Sequence, residues 1–205
     1  SGLSGIHRVN LAAALYERLE LPLLIVCPDD SSAESFSRDL EAMTGEKVNT
    51  LYSRDFTFYS SLAASREAEQ KRLYVLNTLR CGESPLTVAT VSALMQRTIP
   101  PQTLIKAAFT VKDGESCPPE ELERALVRCG YTRCEQVEGA GQFSRRGGIV
   151  DFFSPSCPEP VRIEFWGDDI DSMGFFDVKT QRRTESVEAC RILPAAESLA
   201  TLATG

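Results

Sequence analysis

The run Leu21-Pro-Leu-Leu-Ile-Val-Cys27 limits the fold more than any other stretch of the chain. It is apolar without alternation, yet far short of the ~20 residues a membrane helix needs. Helix-like text flanks it on both sides. A short strand of this kind must be covered on both faces, which is the situation of a parallel strand under helices. Residues 8–20 read as the preceding helix, with Leu11, Leu15 and Leu19 recurring every four positions. After the strand, Ser31 and Glu34 read as a capping box, Phe36, Leu40 and Met43 as the apolar face, and Gly45 as the stop. "KVNTLYS" is a second strand. Ser65 opens a third helix, with Leu73, Leu76 and Leu79 inward and Gly82 beyond it. "LTVATVSAL" is a strand running into a helical turn that Pro100-Pro101 end.

Past the double proline the pattern changes. "IKAAFTVKDG" reads as a strand. Pro118-Pro119 begin a helix with Leu122 and Leu126 inward, and Gly130 closes it. From Tyr131 onward the text is β: "YTRCEQV", "GGIVDFFS", "PVRIEFWG", "IDSMGFFDV" and "TESVEACRIL". Turn-rich separators, "EGAGQFSRR" among them, predict an antiparallel meander. The expected organisation is an α/β parallel-sheet domain over 1–107, a small α+β antiparallel-sheet domain over 108–194, and the start of a following segment at 195–205.

Charge and cysteine usage narrow the partners. A net charge of −7 over 205 residues disfavours a surface built to neutralise phosphates, so protein is the expected partner and a direct DNA-binding module the weaker reading. No membrane segment or secretory leader is read. Seven cysteines, an odd number with no C-x-x-C pair, fit reduced thiols in a cytoplasmic protein. Cys117, Cys129, Cys134 and Cys157 are too irregularly spaced to predict zinc, and a single histidine anchors no metal site, so no metal or cofactor is expected.

Two stretches carry candidate chemistry. Gly2-Leu-Ser-Gly5-Ile-His7-Arg8-Val9 fits the frame of a phosphate loop, G-x-x-x-x-G-K-[ST], but His7, Arg8 and Val9 replace its glycine, lysine and hydroxyl residue. Val9 offers Mg²⁺ no oxygen, and His7 adds a Cβ where the loop needs glycine. ATP hydrolysis by this loop is the minor alternative. Weak anion binding or a plain joint before a helix are the readings left open. In "PVRIEFW", alternation sets Val161, Ile163 and Phe165 on one face and Arg162, Glu164 and Trp166 on the other. Arg146 precedes the neighbouring strand and could share that second face. Trp and Arg are typical interface anchors. The competing reading buries Trp166 under a helix and pairs the arginines with Asp168, Asp169 or Asp171, which otherwise read as solvated turn residues. In "SRDFTFY", Phe56, Phe58 and Tyr59 read as packing at a core edge, or as an aromatic contact for nucleic acid.

"YSRDFTFYSSLAASREAEQKRL", "GQFSRRGGIVDFFSP", "PVRIEFWGDDIDSMGFFDVKTQRR" and "ILPAAE" together resemble the amino-terminal region of bacterial transcription-repair coupling factors, itself similar to the excision-repair protein UvrB. The resemblance runs through nearly the whole chain. It implies a helicase-like α/β domain with a degenerate phosphate loop (Gly2, Gly5, His7, Arg8, Val9), interrupted by an α+β module that docks on UvrA. Only about Asp55 to Ala64 stand where UvrB inserts a long aromatic hairpin, which favours the coupling factor over UvrB. The resemblance implies UvrA contacts by the arginine of R-G-G, the arginine of P-x-R and the aromatic two beyond E, which are Arg146, Arg162 and Trp166. Many family members carry Phe at the last position. It also implies that RNA polymerase and DNA are engaged by other domains, and that this stretch recruits excision repair without catalysing a reaction.

Overall fold

A computed structural model describes residues 5–19, 21–54, 62–83 and 85–197. The chain divides into two compact units, one holding residues 1–61 and 75–98 and the other residues 62–74 and 99–205.

The first unit begins with α1 (Gly5–Leu19), β1 (Leu23–Cys27), α2 (Asp30–Thr44) and β2 (Asn49–Leu51). Helix α3 (Leu62–Cys81) starts among residues of the second unit and ends in the first, followed by β3 (Leu86–Thr90) and α4 (Val91–Met95). The three strands form a parallel sheet in the order β1-β3-β2, as the apolar run and its flanking helices predict, but β1 is not covered on both faces, since Leu24 and Val26 are exposed. Its core joins Val9, Ala12 and Ala13 of α1 and Ala33 and Leu40 of α2 to Leu86 and Val88 of β3.

Several local expectations are corrected here. The buried face of α1 is the small-residue stripe; Leu11, Leu15 and Leu19 are exposed. Helix α2 is capped by Asp29, whose carboxylate accepts from the Ser32 N–H at 2.8 Å, so the Ser31–Glu34 box does not form. Asp29 is extended and reaches the first turn before Ser31 can, and Asp is as good a cap as Ser. Gly45 does end α2, in the left-handed conformation at φ 70°. Helix α3 begins at Leu62 and not at Ser65, and Leu79 is exposed. Phe56, Phe58 and Tyr59 lie outside the described residues.

In the second unit Pro100 caps a helix the sequence did not announce, α5 (Pro101–Ala107); proline at the first helical position suits the start of a helix as well as it ends one. Strand β4 (Phe109–Lys112) therefore begins four residues later than "IKAAFTVKDG" suggests. Then come α6 (Pro119–Arg128), β5 (Thr132–Arg133), β6 (Gln142–Arg146), β7 (Ile149–Phe152), β8 (Val161–Trp166), β9 (Asp169–Phe176), β10 (Arg183–Ser186) and β11 (Ala189–Ile192).

Strands β10-β9-β8-β7-β6-β5 make one sheet, antiparallel except that β5 runs parallel to β6. Strand β11 leaves the meander and pairs with β4, so "TESVEACRIL" is two strands in two sheets. Strand β6 lies inside the separator "EGAGQFSRR": its polar residues hide the signal, and the fully buried Phe143 supplies the packing that outweighs them. One sheet face packs Phe143, Val150, Phe152, Val161, Ile163 and Met173 with Leu122 and Leu126 of α6. That leaves the alternate residues of β6 to β9 on the opposite face.

Candidate functional site

Strand register builds that opposite face in two rows. Arg146, Ile149, Glu164 and Ser172 stand opposite one another from β6 to β9, and Ser144, Asp151, Arg162 and Gly174 form the next row. Pleating sends neighbouring residues to opposite sides, which separates two adjacent arginines. Arg145 faces α6 and pairs with Glu120 and Glu123, whereas Arg146 belongs to the outer face.

Asp151 organises the outer face. It is 1% exposed and takes the guanidinium of Arg162 in a bidentate pair, Nε to Oδ1 at 2.7 Å and Nη2 to Oδ2 at 2.8 Å. Arg146 Nη2 also donates to Oδ2 at 2.8 Å. The two arginines thus converge on one buried carboxylate. Arg162 further donates to the Gln181 carbonyl at 3.1 Å and to its side-chain oxygen at 3.3 Å, and its guanidinium lies 4.6 Å from the centre of the Phe176 ring. Its side chain is 17% exposed. The hydrogen bond to Asp151 holds the Arg162 guanidinium above its ordinary range, against the opposing pull of burial. Gln181 has a positive φ of 59°, unusual for a residue with a Cβ, and this conformation accompanies a carbonyl aimed at Arg162.

Arg146 and Trp166 are presented differently. The Arg146 side chain is 54% exposed. Trp166 is 83% exposed, at the end of β8 where Gly167 turns the chain with φ 64°. The β6–β7 turn, Gly147-Gly148, docks beside it: the Phe165 N–H donates to the Gly148 carbonyl at 2.8 Å, and a Cβ on Gly148 would sit 3.2 Å from the Phe165 carbonyl oxygen. Arg146 and Trp166 therefore share one end of the sheet. Arg183 lies across the Gly174 backbone and donates to Ser172 Oγ at 3.0 Å and to the Met173 carbonyl.

The outer face thus offers an exposed indole, a half-exposed guanidinium and a clamped guanidinium around a buried carboxylate. The arginines pair with Asp151, not with Asp168, Asp169 or Asp171 as the competing reading had it, and Trp166 is not buried. Sequence reasoning missed Asp151, Gln181 and Arg183; the alternation of "IVDF" places Asp151 on the arginine face and was the available signal for the first. Among the described residues, no group of three metal-ligating side chains is present.

At the opening loop, Gly2 lies outside the described residues. Gly5, His7, Arg8 and Val9 form the first turns of α1, and Val9 is buried in the core. The groove between α1, β1 and α2, about 430 Å³, is lined by Leu11, Leu15, Leu24, Val26 and Phe36, with Arg8 its one charged residue among the described residues.

Among the described residues, no helix is long and apolar enough to cross a membrane. Residues 109–197 match the UvrB interaction domain family, so the sheet that carries the outer face is a UvrB interaction domain. Beyond that domain, the chain is 33% identical to the transcription-repair-coupling factor of Bacillus subtilis over 96% of its own length. It is 33% identical to that of Myxococcus xanthus over 98%, and 31% identical to that of Escherichia coli over 95%. The chain is homologous to transcription-repair-coupling factors over nearly its whole length, and spans about 17% of the length of these relatives.

Proposed function

We propose that this chain is a docking module that binds UvrA through the outer face of its six-stranded sheet, with Trp166 and Arg146 as the accessible anchors and Arg162 as the group that fixes the surface between them. In a whole coupling factor it would bring excision repair to a stalled RNA polymerase, with polymerase and DNA held by other parts of the protein. The module binds and does not catalyse; the opening loop hydrolyses no ATP, because Val9 is committed to the core and offers no oxygen to a metal.

The observation that carries this reading is the position of the three residues within the UvrB interaction domain, on a face whose centre is already satisfied by Asp151. An exposed aromatic beside a pre-positioned cation loses little side-chain freedom on binding, which suits an interface anchor. Hydrogen exchange of the chain with and without UvrA tests the reading. Protection is expected at residues 142–151 and 161–174. Protection confined to residues 5–54, or none, would overturn it.

A further inference from the structure

The two thiols nearest one another in the second unit play no part in the outer face. Cys157 sits in the connection between β7 and β8, and Cys190 in β11, 33 positions later. Their sulfurs are 3.4 Å apart, about 1.4 Å more than a disulfide bond requires. The segments carrying them are already tied together. Ser156 Oγ donates to the Arg191 carbonyl at 2.6 Å, Ser154 Oγ accepts from the Leu193 N–H at 3.1 Å, and the Cys157 N–H donates to the Ser154 carbonyl at 3.0 Å. The two thiols are thereby held in register by bonds that do not involve sulfur.

Exposure divides their roles. Cys157 is partly exposed and Cys190 is buried. The hydrogen bond with Cys190 holds the Cys157 thiol below its ordinary range against desolvation, with a smaller contribution from Ser156. The same contact, together with burial, pushes the Cys190 thiol up. A partly exposed cysteine whose thiol is held below its ordinary range, beside a buried thiol, is the arrangement of an attacking and a resolving cysteine.

We propose that Cys157 and Cys190 form a peroxide-sensitive pair that closes reversibly to a disulfide. The Cys157 thiolate attacks one oxygen of hydrogen peroxide and breaks the O–O bond. This yields a sulfenic acid, and the departing hydroxide takes a proton to become water. The Cys190 sulfur, giving up its proton, then attacks the Cys157 sulfur and displaces the hydroxyl as a second water. Two thiols are oxidised by two electrons and one peroxide is reduced. The new bond staples the β7–β8 connection, next to the strands that carry Asp151 and Arg162, to the β4–β11 sheet.

The test treats the 205-residue chain with hydrogen peroxide, counts thiols after unfolding, and maps cross-linked peptides. The count is expected to fall from seven to five, with one peptide joining Cys157 to Cys190 and full recovery on reduction by dithiothreitol. In Cys190→Ser, oxidation stops at a Cys157 sulfenic acid that dimedone labels. In Cys157→Ser, Cys190 stays reduced. Seven surviving thiols, a link between other cysteines, or dimedone labelling confined to other positions would each overturn the proposal.

Discussion

Asp151 grips Arg162 with both carboxylate oxygens while lending one of them to Arg146. Burying a carboxylate is costly unless cations and hydrogen bonds answer it, and here two guanidinium groups do. The pairing also costs Arg162 its freedom, so Arg162 is a part of the sheet before it is a part of any interface. Of the three residues that the family resemblance singles out, Arg146 and Trp166 stand exposed, and Arg162 is fixed in the sheet by Asp151.

Asp151→Asn keeps the side chain's shape and removes its charge. It is expected to destabilise the second unit by about 2 kcal/mol, since charge-assisted hydrogen bonds to two arginines are lost. Urea unfolding followed by circular dichroism measures this, and an unchanged midpoint would contradict the role assigned to Asp151.

Arg72 and Glu197 form an ion pair at 2.7 Å, with each side chain 2% exposed. Glu197→Gln takes one counter-charge from a buried guanidinium and is expected to cost about 3–5 kcal/mol. The double replacement Arg72→Met/Glu197→Met should recover most of that loss. A single variant as stable as the parent would rule out the pair as a strut of the second unit.

The Asp29 cap predicts a pH dependence. The Ser32 N–H holds the Asp29 carboxyl below its usual range. A depressed carboxyl stabilises the fold above its unfolded pKa, and the contribution disappears as pH falls through the folded value. Asp29→Ala should therefore unfold at lower urea than the parent at neutral pH, and the two midpoints should converge in acid, once pH has fallen below the depressed value of the folded state. A gap that persists in acid would mean the cap acts without its charge.

Trp166→Ala removes a side chain that projects outward, so it should change stability by no more than about 0.5 kcal/mol, whereas Arg146→Ala also takes a hydrogen bond from the buried Asp151 and should cost about 1 kcal/mol. Thermal unfolding checks this. A marked loss for Trp166→Ala would indicate that the indole packs against the chain and is not held out for a partner.

Much of this was legible in the residues, for reasons that differ by element. The apolar run 21–27 predicts a parallel strand, and β1 is one, but the covering of both faces does not follow from it: Leu24 and Val26 are about half exposed. Alternation in "PVRIEFW" survives because β8 has one face on the core, so Trp166 and Arg162 fall where the period sends them. The leucines of α1 misled because a four-residue spacing does not say which stripe meets the sheet; alanine and valine let the helix approach closely and took that place. Strand β6 stayed hidden because its polar residues carry little strand preference, and its identity rests on Phe143 meeting a core built by other segments. The Asp151 pairing is a cross-strand contact fixed by register, which no local window contains. Glu197 likewise finds Arg72 across 125 positions.

The most direct test of the central claim is the affinity of the chain for UvrA, by calorimetric titration, for the parent and for Arg146→Ala/Trp166→Ala, with unfolding midpoints confirming that both are folded. The account predicts that the double variant binds at least about thirtyfold more weakly, which corresponds to about 2 kcal/mol. Parent-like affinity in a folded double variant would contradict it.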